Sequence, residues 1–67
     1  MLEEIQGCLD AKPFVRFRIV LANGDRFDVQ TPNMFVLGDS VSYLIRLGGE
    51  GYVAIRNTQL AYVEVPA

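Results

Sequence analysis

Ile19-Val20-Leu21-Ala22-Asn23-Gly24-Asp25-Arg26-Phe27-Asp28-Val29 decides the fold. It reads as a strand, a tight turn and a second strand. The first strand spans 14–22. Its alternation points Val15, Phe17, Ile19 and Leu21 inward and Arg16 and Arg18 outward. Asn23-Gly24 tolerates positive φ, which predicts a two-residue type I′ hairpin turn. The second strand spans 26–30, with Phe27 and Val29 inward and Arg26, Asp28 and Gln30 outward. Pro32-Asn33 ends it, because proline cannot donate to a ladder.

The rest of the chain continues in short strands. Met34 to Leu37 is a brief apolar piece closed by the turn cluster Gly38-Asp39-Ser40. Residues 41–47 form a longer strand, with Val41, Tyr43, Ile45 and Leu47 on one face and Ser42, Leu44 and Arg46 on the other. Gly48 to Gly51 is a hairpin tip, and strands at 52–56 and 61–65 follow, joined by Asn57-Thr58-Gln59-Leu60. Ahead of all this, 2–10 reads as an amphipathic helix with Leu2, Ile5 and Leu9 on one side. Glu3 and Glu4 favour the positive end of its dipole, and Pro13 stops it. Five or more short strands at close spacing predict a mainly β chain, a small barrel or sandwich with the helix over one open end. The whole of 1–67 is one domain, helix 2–10 and barrel 14–65.

Composition narrows the function. A chain of 67 residues buries only about 60% of its unfolded surface, yet 51% of this one is apolar. The surplus predicts self-association. A net charge of −2 weighs against a dedicated nucleic-acid binder, although local patches matter more than totals. There is no histidine and a single cysteine, Cys8, so an internal disulfide is impossible and neither a metal site nor a cofactor is expected. The acidic start and single thiol predict a cytoplasmic protein, and no apolar run approaches the roughly 20 residues that span a bilayer.

Catalysis is not expected. Acid–base work near neutral pH usually needs a histidine or a tuned carboxylate in a pocket, and the acids here are scattered. Cys8 lies near the apolar side of the helix and reads as a structural thiol. Asp25 and Asp28 read as a turn residue and a solvated strand residue. The glycines at 48–51 lack the lysine and helix of a phosphate loop. The outward arginines Arg16, Arg18, Arg46 and Arg56, with Arg26 and the outward Tyr52 and Tyr62, admit two readings. One is a surface that tracks phosphate and stacks bases; the other is an ordinary charged β surface that blunts edges.

The element order, with Leu21-Ala22-Asn23-Gly24 and Ile55-Arg56-Asn57-Thr58-Gln59-Leu60-Ala61-Tyr62-Val63, resembles the Sm-like fold of LSm and Hfq proteins. Asn57 stands where the second Sm motif has glycine, Val29 near the glycine that bends the second strand, and the Tyr-Lys-His element of Hfq is missing. The chain also resembles short uncharacterised bacterial proteins, which implies no function. The Sm resemblance implies that the fold is a barrel, five-stranded and SH3-like, in a homo-oligomeric ring of about five to seven subunits in that family. In it 52–56 (Tyr52, Val53, Ala54, Ile55) pair with 61–65 (Tyr62, Val63, Glu64) of a neighbour. It also implies RNA binding in two loops, at Asn33, Met34 and Phe35 and at Arg56 and Asn57. Phe35 is open to base stacking or to core filling, and Arg56 to phosphate or to an intersubunit hydrogen bond. Two functions therefore stand side by side: an RNA-binding ring, and a non-catalytic protein-interaction or structural oligomer on the same fold.

Overall fold

A computed structural model describes residues 1–46, 48 and 51–66. Helix α1 spans Leu2–Asp10. Six strands follow: β1 (Phe17–Leu21), β2 (Arg26–Val29), β3 (Phe35–Val36), β4 (Val41–Ile45), β5 (Tyr52–Arg56) and β6 (Leu60–Glu64). Short 3₁₀ turns at Pro32–Met34 and Asn57–Gln59 precede β3 and β6. The strands make two antiparallel three-stranded sheets, ordered β2-β1-β6 and β3-β4-β5. A mainly β chain with one short helix is thus what folds. Among the described residues its strands number six, in two sheets, because the segment after β2 turns through Pro32–Met34 before pairing resumes at Phe35.

One core joins the sheets. Phe17, Ile19 and Val29 from the first sheet meet Phe35, Leu44 and Ile55 from the second. Ile5 of α1, fully buried, caps them, with Cys8 and Leu9 packed alongside. A nine-residue helix has too few hydrogen bonds to stand alone, so this apolar contact is what holds it. Cys8 is half-buried, and Leu2 stays exposed at the helix start.

Several local expectations change. Val15 is exposed, because the ladder begins only at Phe17; Phe14 packs on the core instead, its ring centroid 6.0 Å from that of Phe17. The hairpin turn lies where expected but is not type I′, which needs positive φ at both central residues. Among the described residues only glycines have positive φ, Gly24 at +94° among them. The Gly24 N–H donates to the Leu21 carbonyl and Leu21 N–H to the Asp25 carbonyl, which makes a three-residue loop closed by glycine in the left-handed region. Asn23 Oδ1 accepts from the Asp25 N–H at 2.9 Å, the local bond asparagine supplies in such turns. Val20, on the outward face, is buried between its cross-strand neighbours Arg26 and Tyr62. The expected extension of β4 to Leu47 and part of the 48–51 tip lie outside the described residues, as does Ala67.

Strand β4 settles the question its sequence left open. Ser42 and Leu44 face the core, while Tyr43 and Ile45 stay exposed. The buried face thus carries the hydroxyl and the outer face the larger apolar groups.

Candidate functional site

The five residues expected to bind RNA do not form one surface. Met34 and Phe35 are buried at 8% and 3% exposure, so Phe35 fills the core. Its neighbour Asn33 is exposed in the turn before β3. Asn57 is committed to structure. Its Nδ2 donates to the carbonyls of Gly38 and Asp39 at 2.9 and 3.1 Å, and its Oδ1 accepts from Ser42 Oγ at 2.6 Å. Its backbone N–H donates to the Ser40 carbonyl. This latch pins the loop between β3 and β4 to the end of β5 and satisfies the buried Ser42 hydroxyl, which an apolar core would otherwise penalise. Asn57 thus has a structural role of its own. Arg56 is exposed and, among the described residues, makes no ion pair.

The outer faces of the two sheets differ sharply. On β2-β1-β6, register puts Arg18 between Asp28 and Glu64. Arg18 Nε meets Asp28 Oδ1 at 2.8 Å, and Nη1 lies 3.8 Å from Glu64 Oε1. The Asp28 hydrogen bond and charge hold the guanidinium above its ordinary, already high pKa. Glu64 Oε1, a buried atom, makes no hydrogen bond among the described residues, so one guanidinium serves two carboxylates and Glu64 is the less satisfied. Arg16, Gln30 and the tail residues Val65 and Pro66 join this row around a cleft of about 350 Å³.

On β3-β4-β5 the outer face is apolar. Val36, Tyr43, Ile45 and Tyr52 are 40–65% exposed and line one shallow depression. The Tyr43 and Tyr52 rings pack edge-on with centroids 5.7 Å apart. Register sets Val41 opposite Arg56 on this face, and no acid stands in the paired positions. Tyr52 and Tyr62 are exposed as expected. The sequence does not reveal the Val36, Tyr43 and Ile45 part of the patch, because alternation along β4 names two faces without saying which is inside.

The four sheet edges are also unequal. Strand β3 is two residues long beside Pro32, and β2 carries Arg26 and Asp28; shortness and charge blunt such edges. Strands β5 and β6 are five residues each, contain no proline or lysine, and carry their single charges, Arg56 and Glu64, at one end. Among the described residues neither pairs on its outer side.

No three His, Cys, Asp or Glu side chains gather among the described residues where a metal could be held. Among those residues, no helix is long and apolar enough to cross a membrane. Comparison with protein-family models, with characterised proteins and with solved structures gives no match.

Proposed function

We propose that this chain is a non-catalytic interaction module that assembles with copies of itself, edge to edge, into an Sm-like ring. The observation that carries the reading is the pair of unblunted edges, β5 and β6, at the ends of different sheets. Long unprotected edges recruit further strands. Because the two edges are different strands, pairing β5 of one copy with β6 of the next is head-to-tail, and it closes into a ring when the rotation allows. The two sheets are then halves of one small barrel, β2 and β3 being two stretches of a strand interrupted at Pro32. Tyr52, Val53, Ala54 and Ile55 meet Tyr62, Val63 and Glu64 of the neighbour in this arrangement. The apolar surplus of the composition is consistent with it, as is the resemblance of the 55–63 segment to the second Sm motif.

RNA binding by such a ring is the second reading. It draws support from the outer face of β3-β4-β5, where exposed Tyr43 and Tyr52 share a face with Arg56 and no paired acid. Aromatic faces with nearby cations hold single strands with little sequence preference. Burial of Phe35 and engagement of Asn57 move the weight of this reading from the loops to that face.

Light scattering on protein purified with and without a high-salt, nucleic-acid-stripping wash tests both readings. A discrete ring mass that carries no nucleic acid at low salt supports the interaction module. The same mass with nucleic acid lost in high salt selects the second reading, given the steep salt dependence of phosphate contacts. A monomer at about 100 μM, far above the micromolar range of a modest interface, removes both.

A further inference from the structure

We infer that β5 of one copy runs parallel to β6 of the next, with Ala54 opposite Glu64. This rests on the edge-pairing reading above and adds the direction and register of the contact. In an antiparallel ladder alternate residues bond to the strand on one side, and those between them point N–H and C=O to the other. Asn57 N–H donates to the Ser40 carbonyl and Arg46 N–H to the Gly51 carbonyl, so Gly51, Val53, Ile55 and Asn57 bond to β4. Tyr52, Ala54 and Arg56 therefore hold their backbone groups at the free edge. On the other sheet, Leu21 N–H donates to the Asp25 carbonyl, so Leu21 and Ile19 bond to β2, and Val20 and Arg18 bond to β6. Their partners Tyr62 and Glu64 are thereby used, and Val63 and Val65 face the free edge.

The side chains then exclude one direction. On β5 the edge-facing Tyr52, Ala54 and Arg56 are exposed on the outer face, with Val53 and Ile55 inward. On β6 the edge-facing Val63 packs against the core, and Tyr62 and Glu64 lie outside. Antiparallel pairing sets edge-facing residues opposite one another with side chains on the same face. It would lay Ala54 beside Val63 and turn the core face of one copy outward. Parallel pairing sets an edge-facing residue opposite one that lies between two edge-facing residues. Ala54 then stands opposite Glu64, both outside. Ala54 N–H donates to the Val63 carbonyl and Val65 N–H to the Ala54 carbonyl, while Val63 N–H reaches Tyr52 and Arg56 N–H reaches Val65. Pro66, which has no N–H, falls where none is needed. Inside, Val53 meets Val63, and Ile55 covers Val65, which is 58% exposed; outside, Tyr52 lies beside Tyr62. A shift of two residues toward Leu60 sets Tyr52 against the bulge between Leu60 and Tyr62, and the opposite shift forfeits the Val63 N–H. Pairing β5 with itself is also in phase, but it leaves β6 bare, and β6 against itself over its regular stretch sets Glu64 against its twin. One parallel contact covers both edges.

Cysteine pairs read the direction. In a Cys8→Ser background, equimolar Tyr52→Cys and Tyr62→Cys chains should form a disulfide-linked dimer on mild oxidation, and Tyr52→Cys with Pro66→Cys should not. The first pair lies directly opposite; the second is four residues apart along the strand, about 13 Å, beyond the roughly 7 Å a disulfide spans. Antiparallel pairing with Ala54 opposite Glu64 reverses the two results and overturns this direction while the ring stands. A link formed by Ala54→Cys alone shows β5 against itself and overturns both the direction and the head-to-tail ring. Ala54→Pro removes an N–H that only the neighbour uses. It should raise the assembly midpoint, read by light scattering, about tenfold or more, with the circular dichroism and unfolding of the dilute monomer unchanged. Unaltered assembly of a folded Ala54→Pro variant would show that β5 is not the edge used. If the wild type neither links nor assembles, the edge-pairing reading itself has failed.

Discussion

The two sheets share a core but present opposite outer faces. On β2-β1-β6, Asp28, Arg18 and Glu64 form a charged row across three strands. On β3-β4-β5, Val36, Tyr43, Ile45 and Tyr52 lie bare. A charged row is content with water. Four adjacent apolar side chains are not, and contiguous patches of this kind mark surfaces that meet something else. The difference teaches that the inner faces carry the stability of the chain, whereas the outer face of the second sheet contributes little to it and is available for contact.

The largest effects test that division directly. Ile19→Ala and Ile45→Ala remove the same atoms from the two sheets, one on the inner face and one on the outer. Ile19 is fully buried in the core the two sheets share, so its truncation should cost about 2–5 kcal/mol. That is a large part of the stability of so small a domain. Ile45, 44% exposed, should change monomer stability by no more than about 0.5 kcal/mol. Denaturant unfolding at low concentration measures both. Similar costs at the two sites would mean that the outer face of the second sheet is packed, and the contrast drawn above would collapse.

The next effect lies where the second sheet is tied together. Asn57→Ala removes a side chain that bonds Ser42, Gly38 and Asp39 at once and leaves the buried Ser42 hydroxyl without its best acceptor. A buried polar group left unpaired costs about 1–3 kcal/mol, and the unfolding midpoint should fall accordingly. A parallel loss with Ser42→Ala, and no further loss in the double variant, would show that the two act as one unit.

The same latch explains what the sequence could and could not say. The helix, the hairpin position and the inward set Phe17, Ile19, Leu21 and Val29 follow from alternation and helical spacing, because one face of each element is plainly polar. Strand β4 offers no such contrast. Its Val41-Tyr43-Ile45 face is the more hydrophobic one, yet Ser42 and Leu44 are inside, because Asn57 satisfies the serine from 15 residues away. A long-range hydrogen bond leaves no periodicity to read. The candidate loop residues suffered in the same way. Met34 and Phe35 sit next to Pro32, which suggests an exposed turn, but the 3₁₀ turn swings both side chains into the core.

Two glycines sharpen the comparison at smaller scale, one in each sheet's connections. A Cβ on Gly38 would collide with the carbonyl oxygen of Val41, a backbone atom that cannot step aside. Gly24 has open space around it but a φ of +94°. Gly38→Ala should therefore cost more than Gly24→Ala, about 1–3 kcal/mol against roughly 1–2. Thermal unfolding of the pair ranks them. The reverse order would mean that the loop beside β4 can relax and that the Asn57 latch holds it less firmly than its hydrogen bonds suggest.

The smallest effect belongs to the charged row itself. Arg18→Gln removes the cation between Asp28 and Glu64 and leaves two carboxylates on one exposed face. Exposed charges interact through water and are screened within a Debye length of about 3 Å at 1 M salt. The melting temperature of the variant should fall slightly below wild type in dilute buffer, and the two should coincide in 1 M salt. Persistence of a difference in high salt would mean that the Arg18 side chain packs as well as pairs, its stem covering apolar surface beneath it. The outer face of the first sheet would then be structural, and the contrast between the two faces would be one of degree.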